Sequence, residues 1–291
     1  MSGSQYYKPR WVSALAAAMT MMAADGVVVK PVADMHSGPR EDSDVVSQAV
    51  FGSPLRLLEE KGGWANVRTD DDYRGWMKRE DLYPLPPGAK PYAASGRMAR
   101  VTSLFANLYR EPDVTKHKPL LTVPFEARLE VASESENGEN RWVEVRLPDG
   151  TRAWVQDGDV SLAFEPLGIP ESVTLARRFL GLPYLWGGTS TFGFDCSGFT
   201  QMLIRRRGRI MPRDAAPQSL WDGSMPVDRS ALQPGDLLYF GGSADKITHT
   251  GMYVGNGEFI HATTNGAPVV QISRLDDEPW TGLLKLCRRL R

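Results

Sequence analysis

The chain has 291 residues, and with about 150 residues per domain as a guide it holds two or three domains rather than one. Lys and Arg total 34 against 35 Asp and Glu, a formal charge of -1 that excludes the broad positive field of a non-specific nucleic-acid binder. Apolar residues at 42% and charged residues at 24% are globular values, and two cysteines exclude a disulfide framework.

At the N-terminus, Lys8 and Arg10 precede an apolar, Ala- and Met-rich run over 11–24. The run is shorter than the roughly 20 apolar residues a spanning helix requires, so no transmembrane segment is expected. Residues 1–26 read either as a signal segment, although no clear A-x-A site precedes Asp25-Gly26, or as a short packed helix. The first reading implies a cell-envelope or secreted protein, the second a cytoplasmic one.

An internal repeat follows. Gly63-Trp64-Ala65-Asn66-Val67-Arg68 and Tyr73-Arg74-Gly75-Trp76-Met77 match Arg141-Trp142-Val143-Glu144-Val145-Arg146 and Thr151-Arg152-Ala153-Trp154-Val155, with 12 residues between the tryptophans of each copy. Upstream, 33–39 pairs with 106–112. Within each copy Trp64, Asn66 and Arg68 alternate with Ala65 and Val67, the pattern of short, half-buried antiparallel strands, so each copy is expected to be a small all-β barrel. The tryptophans are read as core residues, and His36 and His117 as solvated turn residues. The repeat resembles the bacterial SH3 (SH3b) domain, whose strands end in a run like Tyr73-Arg74-Gly75-Trp76-Met77. The expected boundaries are 27–84 for the first barrel, 85–91 for a stiff, extended Pro-rich linker and 92–164 for the second barrel.

From 165 to 291 the pattern changes. A helix starts at Glu171 with Leu175, Ala176, Phe179 and Leu180 on one face, and Gly181 and Pro183 end it. A second follows Asp195, an N-cap residue, with Phe199, Met202 and Leu203 on one face and Arg205, Arg206 and Arg207 at its C-terminal end, where cations complement the helix dipole. Strand-like segments occupy 237–240, 251–254, 259–262, 269–272 and 283–287. Helices followed by an antiparallel sheet make an α+β domain.

Cys196 directly follows the N-cap Asp195, where unpaired N–H groups and the dipole favour thiolate over thiol; small and polar neighbours surround it. Cys287 lies in an apolar strand and reads as inert. A thiolate nucleophile needs a base near neutral pH, and His249 and His261 lie on successive strand segments joined through Asn256-Gly257, a hairpin dipeptide. Zinc is the competing chemistry for one Cys and two His, but no short-spaced ligand pair supports it, so no metal and no cofactor are expected.

Gly181-Leu182-Pro183-Tyr184-Leu185-Trp186-Gly187-Gly188-Thr189, Asp195-Cys196-Ser197-Gly198-Phe199, Pro212-Arg213-Asp214, Gly235-Asp236-Leu237, His249-Thr250-Gly251-Met252-Tyr253-Val254-Gly255 and Ile260-His261 together resemble the NlpC/P60 family of cysteine peptidases. With two SH3b-like copies ahead, the chain is similar to the γ-D-glutamyl-L-diamino acid endopeptidase (dipeptidyl-peptidase VI) type of that family, which acts on peptidoglycan stem peptides and muropeptides. The resemblance implies a multidomain protein, two SH3b barrels followed by a papain-like α+β domain, with a catalytic Cys196, His249 and His261. It also implies that Tyr184, Trp186, Asp195, Ser197 and Asp214 bind substrate, Tyr184 alternatively donating to the oxyanion. Tyr73 matches the first-barrel tyrosine that meets a free L-Ala amine. The acidic partner of that tyrosine falls at Val46 here, which leaves Asp44 or Asp195 to supply the charge. A non-catalytic wall-binding adaptor and an N-acyl amidase or transferase using the same triad are the alternatives; an intact Cys196, His249 and His261 argue against the first.

Overall fold

The computed structural model describes residues 25–93, 97–133 and 141–291, so the N-terminal run over 11–24 lies outside the described residues. Its first unit is a seven-stranded antiparallel sheet in the order Val45–Val50, Val32–His36, Arg74–Lys78, Trp64–Arg68, Pro54–Lys61, Gly26–Val28 and Leu82–Pro84. Alternation along Trp64–Arg68 buries Ala65 and Val67 and leaves Trp64, Asn66 and Arg68 half-exposed, as the period-two pattern predicts. Met35, Leu55 and Met77 close the core.

The second unit has a five-stranded sheet, Arg152–Gln156, Trp142–Arg146, Arg128–Ser133, Met98–Val101 and Val160–Ser161, and a two-stranded one, Leu121–Pro124 with Phe105–Leu108. It shares one ring arrangement with the first. His36 pairs with Trp76 and packs edge-on to Trp64 at 5.0 Å, while Tyr109 pairs with Trp154 and packs edge-on to Trp142 at 5.5 Å. The repeat thus puts His36 where the second copy has an aromatic ring. His36 is buried, with Nδ1 3.0 Å from the Ser43 carbonyl, and is not the solvated residue expected; His117 is exposed, 3.3 Å from Glu111. Between the units the Pro-rich stretch turns rather than extends: Ala89 N–H donates to the Pro86 carbonyl, and Gly88 takes the positive φ this requires.

The third unit has helices Ile169–Arg178, Cys196–Arg206, Ala215–Leu220 and Trp280–Leu283. Its six-stranded antiparallel sheet runs Ser224–Pro226, Leu284–Leu290, Leu237–Ser243, Lys246–Gly255, Glu258–Thr263 and Val269–Arg274. The apolar face of Cys196–Arg206, through Phe199, Met202 and Leu203, packs with Met252 and Ile260 of the sheet, with Leu175 and Ala176 of the first helix and with Phe179 at that helix's C-cap. Leu180, expected on that face, lies past the helix end and is exposed. Among the described residues no helix is long and apolar enough to cross a membrane.

The three units interlock. Phe51 leaves the first sheet and is buried in the core of the second unit, beside Val101, Leu129 and Val145. Thr189 of the third unit donates through N–H and Oγ1 to the Gln48 side chain and carbonyl, both at 3.2 Å, and Gln201 donates to Asp71 at 2.7 Å. Arg205, read from sequence as a dipole partner, pairs with buried Glu126 of the second unit at 2.6 Å.

Candidate active site

Asp195 caps the helix Cys196–Arg206, its Oδ1 accepting from Gly198 N–H at 2.7 Å, so Cys196 occupies the first helical turn. The Cys196 sulfur accepts from the backbone N–H groups of Thr250 and Ser197, which favour the thiolate. Burial outweighs them. With the neighbouring Asp195 charge acting in the same direction, desolvation pushes the thiol up to about 12. The sequence expectation of a resting thiolate is therefore corrected to a neutral thiol, because the helix end that would stabilise the charge is buried.

Asn256 and Gly257 both adopt positive φ, the conformation of a two-residue hairpin turn, and join Lys246–Gly255 to Glu258–Thr263. This brings the histidines together. His249 Nε2 lies 2.7 Å from His261 Nδ1, and His261 Nε2 lies 3.0 Å from Ser273 Oγ on the next strand. His249 Nδ1 is the ring nitrogen left for the cleft. Gly251 permits the approach, since a Cβ there would stand 2.8 Å from the Phe259 ring and 3.0 Å from the His261 Cβ. Phe240, Phe259 and Trp280 surround the two rings. Burial lowers His249 to about 4, against a small upward pull from Asp195, and takes His261 well below its ordinary range. Cys196 and His249 thus form a neutral pair with one proton to exchange.

Both line a cleft of about 700 Å³ whose other wall comes from the first unit, through Asp44, Val46 and Tyr73. Tyr184, Trp186, Asp195, Ser197 and Asp214 line it too, so all the residues expected at the site converge there except His261, which lies behind His249. Trp186 is 70% exposed at the rim. Burial pushes the Tyr184 hydroxyl up to about 12, so it is a donor at neutral pH. At Gly187 the two units meet without room for a side chain, since a Cβ there would stand 2.9 Å from Val45.

Two of the expected binding residues are already engaged. Buried Arg213 donates to both Asp195 oxygens at 3.1 and 2.6 Å and to Ser197 Oγ at 2.8 Å, while Gly187 N–H donates to Asp195 at 3.0 Å. Arg213 also reaches Ser47 of the first unit at 3.0 Å. Asp195 is therefore held in this network: its charge is paired with Arg213, and both oxygens already accept hydrogen bonds. Asp214 also lines the cleft: burial raises it above the usual range, against the pull of Arg213, and it accepts a hydrogen bond from Tyr73, whose hydroxyl burial and that carboxylate push up to about 12. The Pro212-Arg213-Asp214 motif gives Arg213 no role of its own; its pairing with Asp195, 18 residues earlier, is made by the tertiary fold, and Ser273 likewise carries no local signal.

Cys287 is buried on Leu284–Leu290 among Leu238, Phe240 and Trp280, away from the cleft lining. Among the described residues no three His, Cys, Asp or Glu side chains are arranged to hold a metal ion.

Comparison with known proteins finds two families along the chain. The NlpC/P60 family matches residues 181–289, and the family described as the bacterial dipeptidyl-peptidase Sh3 domain matches residues 35–82. A γ-D-glutamyl-L-lysine dipeptidyl-peptidase of Bacillus subtilis is 31% identical over 247 residues, 81% of this chain and 78% of that protein. The chain belongs to the NlpC/P60 family. A γ-D-glutamyl-L-lysine dipeptidyl-peptidase of Bacillus cereus is 35% identical over 231 residues, which is 74% of this NlpC/P60 chain and 66% of the relative's length. The crystal structure of an NlpC/P60 family protein from Bacillus cereus superposes with a TM-score of 0.79 at 27% identity, covering 92% of this chain and 99% of that one. The Sh3 match falls on the first β unit and includes Val46 and Tyr73, the NlpC/P60 match on the unit that carries Cys196, His249 and His261.

Proposed function

We propose that this protein is a cysteine endopeptidase that hydrolyses the bond between γ-D-glutamate and the diamino acid of peptidoglycan stem peptides with a free N-terminal L-Ala. In this reading residues 27–84 and 92–164 are two SH3b barrels joined by 85–91, and 165–291 is a papain-like catalytic domain. The relatives named for γ-D-glutamyl-L-lysine cleavage support the bond. The observation that carries the reading is the cleft in which Cys196, His249 and Asp214 of the third unit face Tyr73 of the first.

The Cys196 proton passes to His249 Nδ1 as the sulfur attacks the γ-carbonyl. The N–H of Cys196 and the Tyr184 hydroxyl donate to the oxyanion. His249 then returns the proton to the departing amine of the diamino acid, and water releases L-Ala-γ-D-Glu from the thioester by the same base. His261 holds the ring of His249, and Trp186 covers the peptide at the rim. The free amine is held by Asp214 and Tyr73 with Asp44 nearby, in place of the acidic residue that Val46 replaces.

Mass spectrometry of L-Ala-γ-D-Glu-L-Lys and its meso-diaminopimelate counterpart after incubation with the protein tests the reading. Release of L-Ala-γ-D-Glu is expected; cleavage at another bond, or intact peptides, would overturn it.

A further inference from the structure

The hydrogen-bond chain behind the cleft does not end at His261. We infer that Ser273 is a positioning residue for catalysis: its hydroxyl gives the buried Nε2–H of His261 an acceptor and thereby stabilises the tautomer pair that leaves His249 Nδ1 free to take the Cys196 proton, a pair that would otherwise bury an unpaired N–H. This rests on the cysteine-peptidase reading above.

Two neutral imidazoles joined Nε2 to Nδ1 share one proton at their junction, and two arrangements are possible. In the first, His249 carries its proton on Nε2 and donates it to His261 Nδ1; His261 then carries its proton on Nε2, and His249 Nδ1 has a lone pair. In the second, His261 donates from Nδ1 to His249 Nε2, and the remaining proton of His249 sits on Nδ1, where it blocks proton transfer from the thiol. The active arrangement therefore requires an N–H at His261 Nε2.

That position has no access to water, since His261 is 0% exposed and enclosed by Phe259 and Trp280. Ser273 Oγ, 3.0 Å away, is its partner. Ser273 sits opposite Phe259 in the register of the two strands, which puts it diagonal to His261 and on the same face. Without the hydroxyl the active arrangement would bury an N–H with no acceptor, and the inactive one would leave a bare ring nitrogen there, the lesser cost in an aromatic wall. The same hydroxyl serves the imidazolium intermediate. When His249 gains its second proton it still donates from Nε2 to His261 Nδ1, and neither His261 nor Ser273 has to move a proton.

Ser273 is not part of the cleft lining, so its loss should act on turnover and leave substrate binding alone. The test compares Ser273→Ala and Ser273→Thr with the unaltered protein, using the free-amine peptides above and the ¹⁵N chemical shifts of the His261 ring. Ser273→Ala should lower kcat about tenfold to a hundredfold with KM unchanged, and should move His261 from the Nε2–H form toward Nδ1–H; Ser273→Thr should restore both. The ring shifts need no substrate, so they test the inference even if the peptide is not the substrate, while hydrolysis that survives Cys196→Ala would sink the cysteine-peptidase reading instead. A Ser273→Ala protein with unaltered His261 shifts, or with kcat within twofold of the unaltered protein, overturns the inference. So does an equal rise in KM, which would mark a general loosening of the cleft.

Discussion

Arg213 and Asp195 form a buried, two-pronged ion pair, with Nη2 2.6 Å from Oδ2, at the start of the helix that carries Cys196. The pair links three parts of the molecule: the helix cap, the Gly187 turn and, through Ser47, the edge strand of the first β unit. The charge of Asp195 stays inside this network, which is why the substrate amine is assigned to Asp214.

Removing one member of such a pair strands the other charge. Arg213→Ala should destabilise the fold by about 3–5 kcal/mol, a typical cost for breaking a buried pair, read as a lower denaturant midpoint. Arg213→Lys should recover only part, since one ammonium cannot reproduce the bonds to Asp195, Ser197 and Ser47. Unchanged stability in both variants would show that water can reach and solvate Asp195.

Cys196→Ala should abolish hydrolysis with the circular dichroism spectrum unchanged, and Cys287→Ala should retain most activity. Iodoacetamide should inactivate the protein while EDTA leaves it unaffected, because the nucleophile is a sulfur. Restoration of a chelated sample by zinc would contradict the assignment.

The pH dependence follows from the buried pair. As the proposed base, His249 acts only when neutral, and burial lowers it to about 4, so kcat/KM should stay flat from neutral pH down to about 5 and fall through about 4. The thiol, pushed up to about 12, should react with iodoacetamide faster with each step in pH well past 9, with no plateau near neutrality. Stability should move in the same direction as kcat/KM. The unfolded chain binds protons at its histidines below about 6.5 and the folded one does not, so stability is complete above about 6.5 and is lost as the pH falls toward 4. An acid limb centred near 6.5 would mean that the site is solvated.

Asp214→Asn should raise KM for the free-amine peptide about ten- to a hundredfold, the range of a charge-assisted hydrogen bond, and Tyr73→Phe should cost less. The same peptide acylated on L-Ala should be a poor substrate for the unaltered protein. Equal kcat/KM for free and N-acetylated peptides would mean that Val46 has opened the cleft to intact wall peptides.

Phe51 belongs in sequence to the first unit and in space to the core of the second. Phe51→Ala should cost about 3–5 kcal/mol, as for other buried phenylalanines, and should loosen the wall that carries Tyr73. Easier proteolysis between the two β units, together with lower kcat/KM, is the expected result; an unchanged Tm would refute the coupling.

Sequence alone determined what is local. The tryptophan spacing and period-two alternation located the matched β units, Asn256-Gly257 set the hairpin that pairs His249 with His261, and Asp195 marked the helix start at Cys196, because each depends on neighbours within one element or one turn. Tertiary structure decided whatever depends on burial and on partners far along the chain. The neutral thiol, the buried His36, the turn in the Pro-rich linker and the exposed Leu180 all depart from local expectation. Arg213 meets Ser47 across 166 residues and Gln48 meets Thr189 across 141. A charge or hydrogen bond at such a site takes its energy from the dielectric and the partners the fold assembles, and neither is encoded in spacing along the strand.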